Sequence, residues 1–239
     1  MNNKVSEICW ICGNVATTGE HLVKKSDLRE VFGVPSPGEP LYLHNSSRKN
    51  VRIQGLNSKS LKLNSKLCAK CNNETTQPYD KAWERLSKHI RSLGSQLPKS
   101  YIRANKVFPN NSRRQMRDVQ LYFVKLFGCL IHENKVPLDI KSFSTVLLER
   151  TFHPNVFLKV GYFSGNDKMV GVAGLSTTFD KQTNEIVLVH WFYELGEFAV
   201  NIIYALDTNI WKSTESAWLP QHGTSRMIVH DFSSELTRK

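Results

Sequence analysis

Two C-x-x-C pairs, at residues 9–12 and 68–71, constrain the fold of this 239-residue chain more than any other feature. Four cysteine thiolates at this spacing are the ligand set of a closed tetrahedral zinc site, which would join two remote segments around one structural Zn²⁺. The expected zinc ligands are Cys9, Cys12, Cys68 and Cys71.

The expected compartment is the cytoplasm, with no membrane association. The first residues are polar, no secretory h-region is visible, and no run approaches the roughly 18 apolar residues of a membrane span. In a reducing compartment, paired C-x-x-C motifs are metal sites far more often than disulfides. The fifth cysteine, Cys129, lies in the apolar stretch 122–131 and is expected to be a buried filler.

The positive charge of the chain is concentrated in its first half. The net charge is +11, and residues 1–125 hold 22 Lys and Arg against 9 Asp and Glu, whereas residues 126–239 hold 10 against 12. The net charge alone is compatible with DNA, RNA or an acidic protein as partner. A localised excess is typical of binding to phosphates and predicts affinity that falls steeply with salt, although a solvated surface that aids solubility is the alternative.

A change in composition around residues 95–111, which include Pro98 and Pro109, predicts a boundary between residues 1–97 and residues 98–239. Local patterns in the first part predict a helix at 26–32, a hairpin of strands 41–43 and 51–53 with turn material at 45–47, and an amphipathic helix at 79–93. The second part is expected to be an α+β domain with an antiparallel sheet. Its predicted helices are 113–133 and 139–150, and its predicted strands are 156–160, 170–175, 186–192 and 199–205.

The dipeptide Glu20-His21 between the two cysteine pairs carries groups suited to phosphodiester hydrolysis. A histidine can deprotonate water near neutral pH. A hard cation such as Mg²⁺ or Mn²⁺ can stabilise the charge that develops on the phosphate, and it prefers oxygen ligands, which Glu20 and either Asn72 or Asn73 could supply. A zinc ion surrounded by four sulfurs could not activate water, so two metals with two roles are expected.

These residues resemble the HNH, or ββα-metal, endonuclease family. The motifs are C-W-I-C at 9–12, G-E-H-L at 19–22 and L-C-A-K-C-N-N at 67–73, and the resemblance covers roughly residues 5–95. It implies an N-terminal ββα-metal module stapled by zinc. It also implies that Glu20 is a metal ligand, His21 the general base and Asn72 the second metal ligand, while Asn64 is the nearest match to the asparagine that braces the loop carrying the base.

The chain departs from the family pattern at several positions. Its acid is Glu instead of the commoner Asp, its last ligand is Asn instead of His, and residues 35–53 form an expected insertion. Pro78 interrupts the helix expected after the second cysteine pair. Either Asn72 therefore lies on a single turn before a new helix that begins at Pro78, or the helix is kinked, and Asn73 stays an alternative ligand.

The sequence thus predicts an HNH-type endonuclease that cuts DNA, with RNA not excluded, in restriction or anti-phage defence. Residues 98–239 would select a target, a protein partner or an activation signal, and both monomer and dimer are open. One alternative is a catalytically silent zinc-ribbon regulator that binds nucleic acid. Another is an interaction subunit whose nuclease works only when a protein partner is bound.

Overall fold

The computed structural model describes residues 7–44, 49–99, 101–163, 170–172, 175–207, 214–221 and 225–233. The predicted turn at 45–47 lies outside these residues. Within the described ranges, no helix combines the length and the apolar character needed to cross a membrane.

Among its described residues, the N-terminal part contains two small antiparallel sheets and two α-helices. Strand β1 pairs with β4, and β2 pairs with β3 in the predicted hairpin. The predicted helix at 26–32 is confirmed as α1, and it ends at Gly33, whose φ of 73° is a conformation that glycine adopts without strain. The elements are β1 (Thr18–His21), α1 (Lys25–Phe32), β2 (Leu41–Leu43), β3 (Val51–Ile53), β4 (Lys62–Leu67) and α2 (Gln77–Leu93).

The chain between the second cysteine pair and α2 follows the first of the two predicted alternatives. A π-type turn covers Cys71–Thr75, and α2 then begins at Gln77 with Pro78 in its first turn. Proline is tolerated there because the first N–H groups of a helix have no intrahelical partner. Asn72 therefore belongs to a separate turn that precedes the long helix.

The C-terminal part is the mixed α+β arrangement that was expected. Both predicted helices are confirmed, as are the strands predicted at 156–160, 186–192 and 199–205; of the strand predicted at 170–175, residues 170–172 form β7 and 173–174 lie outside the described residues. The elements are β5 (Tyr101–Arg103), α3 (Ala104–Val107), α4 (Ser112–Asn134), α5 (Ile140–Glu149), β6 (Val156–Tyr162), β7 (Val170–Val172), β8 (Ser176–Phe179), β9 (Ile186–Leu195), β10 (Phe198–Ala205) and β11 (Arg226–Asp231).

Seven strands of the described residues form one sheet in the order β5-β11-β6-β10-β9-β7, and β8 also pairs with β9. The neighbouring strands are antiparallel except for β11 and β6, which run parallel. The predicted antiparallel sheet is thus confirmed, and it contains one parallel pair. A parallel neighbour requires a long crossover instead of a hairpin, and the chain between β6 and β11 includes four other strands.

Helix α4 lies at the centre of the molecule and contacts both predicted parts. It packs against α2 and β4 on the N-terminal side and against α5 and β6 on the C-terminal side. The ring of Trp83 on α2 stacks on Tyr122 and meets Phe123 edge-on, and it also contacts Tyr193 of β9. One hydrophobic core thus runs through both parts, from Cys9 to Met227.

A buried carboxylate links α1, α2 and β9 within this core. Asp27 is 1% exposed and accepts hydrogen bonds from Trp83 Nε1 (2.7 Å), Ser87 Oγ (3.1 Å), Arg91 Nη2 (2.9 Å) and Tyr193 Oη (2.8 Å). Four donors satisfy the desolvated charge, so the group is stable where a lone carboxylate would not be.

Replacing Asp27 by alanine is expected to lower the free energy of unfolding by about 3–5 kcal/mol, because the Arg91 charge and three other donors lose their acceptor. Urea denaturation followed by circular dichroism measures the change. Asp27→Asn keeps the shape of the side chain and one acceptor oxygen, so its free energy of unfolding should fall by less than that of Asp27→Ala. Equal denaturation midpoints for Asp27→Ala and the unmodified chain would show that the network contributes nothing.

Candidate metal centre and hydrolytic site

The four cysteines of the C-x-x-C pairs lie together and could hold a metal ion such as zinc. Their sulfur atoms all lie within 4.8 Å of one another, and the Sγ atoms of Cys12 and Cys68 are 3.5 Å apart. Tetrahedral zinc–thiolate bonds of about 2.3 Å would place sulfurs about 3.8 Å apart, which fits this cluster. Among the described residues, it is the one group of three or more His, Cys, Asp or Glu side chains arranged in this way.

Each cysteine pair is presented by a tight turn. In the first, the Cys9 N–H donates to the Asn14 carbonyl and the Gly13 N–H donates to the Cys9 carbonyl, both at 2.8 Å. Gly13 has φ of 77°, which closes this turn without a side-chain clash. In the second, the Cys71 N–H donates to the Cys68 sulfur at 3.3 Å. This hydrogen bond fixes the Cys68 sulfur beside the start of the Cys71–Thr75 turn.

The first cysteine turn rests on helix α4 through Trp10. The indole Nε1 donates to the Cys129 sulfur at 3.4 Å, and the ring covers Gly128, where a Cβ atom would overlap it. Cys129 is fully buried, and burial raises the pKa of its thiol to about 12. An inert, packed thiol is what the sequence predicted at this position.

Gly128→Ala is therefore expected to destabilise the protein although alanine is the better helix former. The gain in helix propensity is about 1 kcal/mol, whereas the clash with Trp10 forces an overpacking cost of about 1–3 kcal/mol. Thermal unfolding and zinc content together measure the effect. Gly55→Ala is a matched control, because a Cβ there meets nothing within 4 Å. A rise in the melting temperature of Gly128→Ala would contradict the close Trp10 contact.

Glu20 on β1 is ion-paired to a buried lysine of α4. Its Oε1 lies 3.2 Å from Lys125 Nζ, which also contacts Asp80 Oδ1 at 2.9 Å, and Lys24 Nζ lies 3.5 Å from the same Asp80 oxygen. Burial raises the pKa of the Glu20 carboxyl, and Lys125 opposes that rise. Burial alone would lower the pKa of Lys125, but Glu20 and Asp80 raise it overall, so the ammonium is charged.

His21 is oriented by a backbone carbonyl. Its Nε2 lies 3.0 Å from the Leu56 carbonyl oxygen, which can only accept, so Nε2 carries the proton and Nδ1 has the free lone pair. Burial lowers the pKa of the imidazole, the Leu56 hydrogen bond opposes this, and nearby lysines reinforce it. The β1–β4 register is irregular here, since Gly19 pairs with Lys66 and His21 with Lys62.

The three candidate asparagines lie in different surroundings. Asn72 Nδ2 donates to Thr18 Oγ1 at 3.1 Å, which brings this side chain to β1, two residues before Glu20. Asn73 is exposed. Asn64, the predicted brace, donates from its backbone N and its Nδ2 to the Glu133 carboxylate of α4, at 2.9 and 2.8 Å. The structure therefore joins Asn72 to β1, and its hydrogen bonds join Asn64 to the end of α4.

The residues that contact Glu20 and His21 from the protein interior were not identified from the sequence. Lys125 contacts both Glu20 and Asp80, and the Leu56 carbonyl fixes His21. Lys125 left a readable signal, because it is a single charge within the apolar stretch 119–131, and a buried lysine needs carboxylate partners. A backbone carbonyl such as that of Leu56 leaves no such signal.

Comparison with known proteins returns no match: no protein-family model, no curated protein and no solved structure matches this chain. The described residues define a mixed α+β protein with largely antiparallel sheets and a four-cysteine cluster that could hold a metal ion.

Proposed function

We propose that this chain is a metal-dependent endonuclease of the HNH, or ββα-metal, type that hydrolyses phosphodiester bonds of DNA. The arrangement of elements supports the proposal, since the antiparallel strands β1 and β4 are followed by the Cys71–Thr75 turn and helix α2. The thiol cluster, with zinc as its proposed ion, would staple the start of that helix to the segment before β1.

The observation that carries the proposal is the placement of His21. The Leu56 carbonyl holds the ring through Nε2, so Nδ1 is available to accept a proton from an attacking water. The lowered pKa keeps the imidazole neutral, which is the form that a general base needs. A buried histidine of the hydrophobic core would instead have both nitrogens satisfied.

The donor groups proposed to act with His21 suit a hard divalent cation, Mg²⁺ or Mn²⁺. Glu20 would contribute a carboxylate oxygen and Asn72 its Oδ1, because Nδ2 is already used in the bond to Thr18. Asn73, which is exposed, is the alternative ligand. When bound, the cation would stabilise negative charge on the scissile phosphate. Lys125 would act as a positioning residue that fixes the Glu20 carboxylate from the protein side.

The charge of the N-terminal half supports a nucleic acid as substrate. On α2, Lys81, Arg85 and Lys88 are exposed and recur at four- and three-residue spacing, so they share one face of the helix. Basic side chains in such a row can neutralise successive phosphates. Restriction or anti-phage defence is the proposed setting.

Incubating the purified chain with supercoiled, linear and single-stranded DNA and with RNA tests the proposal. We expect nicking or cutting of DNA with Mg²⁺ or Mn²⁺ and none with a chelator, and cleavage should weaken as salt rises. If the protein cleaves RNA but not DNA, the proposed substrate changes from DNA to RNA. A zinc-replete protein that cleaves none of these substrates would overturn the proposal.

The second candidate is a zinc-containing regulator that binds nucleic acid without cutting it. The Glu20–Lys125 ion pair favours it, because an ammonium that neutralises the carboxylate weakens its attraction for a cation. Binding that is unaffected by divalent cations and produces no cleavage would identify this function. An interaction subunit would instead be inactive alone and cut DNA once its protein partner is added.

A further inference from the structure

A basic cavity of about 740 Å³ lies at the other end of helix α4 from Glu133. Its walls come from the first turns of α4, from the segment after α5 and from residues 220–221. Ligand-binding cavities in proteins have volumes of about 300–1,000 Å³. The side chains that matter for its chemistry are Arg113, Arg114, Arg117, Phe152, Asn111 and Gln221.

The three arginines concentrate positive charge at this cavity. Asp118, which is 4% exposed, lies 3.6 Å from Arg117, and Arg114 and Arg150 also act on its pKa. Arg117 Nε is buried and finds no acceptor among the described residues. Guanidinium groups that lie close together repel one another, so an anion in the cavity would be stabilised.

The start of α4 adds to this preference. Asn111 precedes the helix with φ of 57°, and its side chain makes no capping hydrogen bond. The N-terminus of a 23-residue helix also carries a partial positive charge. Residues 113–117 span only about 6 Å of helix axis, which suits one or two phosphate groups instead of a long strand.

An aromatic ring forms part of the same wall. Phe152 is 38% exposed, although large apolar side chains are usually buried, and the amides of Asn111 and Gln221 also line the cavity. A flat apolar surface beside guanidinium groups matches a ligand that has a planar heterocycle and a phosphate. We propose that this cavity binds a free nucleotide, with its phosphate on Arg114 and Arg117 and its base against Phe152.

This site is separate from the proposed hydrolytic site. Lys125, which contacts Glu20, lies eight residues after Arg117, or about 12 Å along the helix axis. The inference therefore does not depend on the proposed nuclease activity. A His21→Ala protein should bind nucleotides as the unmodified chain does, whether or not that chain cuts DNA.

Isothermal titration calorimetry of the full chain with AMP, GMP, CMP, UMP, inorganic phosphate and a short 5′-phosphorylated oligonucleotide tests the proposal. We expect at least one mononucleotide to bind, and Arg114→Ala to weaken that binding and phosphate binding by about tenfold or more. Phe152→Ala should weaken mononucleotide binding by about tenfold and leave phosphate binding unchanged. Arg29→Ala, which changes an exposed arginine of α1 outside the cavity, is the matched control and should have no effect.

Both test variants change exposed side chains, and circular dichroism verifies that they fold. Three results would overturn the proposal. The first is no heat with any mononucleotide at millimolar concentration. The second is wild-type affinity in Arg114→Ala, or an equal loss in Arg29→Ala. The third is binding of a 5′-phosphorylated oligonucleotide without binding of any mononucleotide, which would identify a strand-binding surface.

Discussion

Cys68→Ser is expected to unfold the N-terminal part of the chain and to release the zinc ion proposed for the four-cysteine cluster. Binding of a structural zinc ion contributes about 10–16 kcal/mol to the folding free energy of small zinc domains. This contribution is as large as the free energy of unfolding of a typical protein, which is about 5–15 kcal/mol. Cys68 is buried between β4 and the turn that carries Asn72, so its loss also frees the candidate catalytic side chains. Zinc stoichiometry by mass spectrometry and thermal unfolding by circular dichroism measure the result.

Cys129→Ala is the matched control for this experiment. Cys129 is also a buried free thiol, but it lies on α4 outside the four-sulfur cluster. The control should keep one zinc per chain, and it should lose only the packing of one sulfur and the hydrogen bond that Trp10 donates to it. A Cys68→Ser protein that melts at the wild-type temperature with unchanged zinc content would disprove a structural role for the cluster.

His21→Ala is expected to lower the DNA cleavage rate by about 100- to 10,000-fold while folding, zinc content and DNA affinity stay nearly unchanged. The substitution removes the proposed proton acceptor but none of the sulfurs that hold the segment together. Initial rates of plasmid nicking with Mg²⁺, beside DNA-binding affinity measured in chelator, separate the loss of chemistry from the loss of binding.

His89→Ala provides the comparison, since His89 is a partly exposed histidine on α2 in the same half of the chain. It should nick DNA at nearly the wild-type rate. If His21→Ala cuts plasmid as fast as the unmodified protein, His21 is not the general base. If neither the wild type nor the variant cuts under any metal condition, the regulator becomes the better assignment.

Much of the fold was predictable where the signal is local. The amphipathic spacing before Gly94 predicted α2, and the apolar face of residues 113–133 predicted α4 to within one residue at each end. The two C-x-x-C pairs predicted that four sulfurs separated in sequence would lie together. Cysteine ligands of one metal ion have a recognisable spacing in the sequence, even when the two pairs are far apart.

Features that depend on distant partners were not predictable. Strands β5 and β11 escaped notice because β5 has only three residues and β11 exposes Ile228, so neither has a strong apolar alternation. The parallel pairing of β11 with β6 joins distant parts of the chain, and neither strand has a sequence pattern that indicates its partner. For the same reason, the sequence showed Glu20 and Lys125 individually but not their ion pair.

Helix α4 supplies Gly128 to the tryptophan of the first cysteine turn, Lys125 to Glu20 and Glu133 to Asn64. A protein shortened to residues 1–97 would therefore lose the helix surface against which Trp10 of the first cysteine turn packs. Glu20 would also lose its ion pair with Lys125. Anyone wishing to graft this cysteine-rich segment onto another scaffold would have to carry the long helix with it, or engineer a replacement that offers the same three contacts.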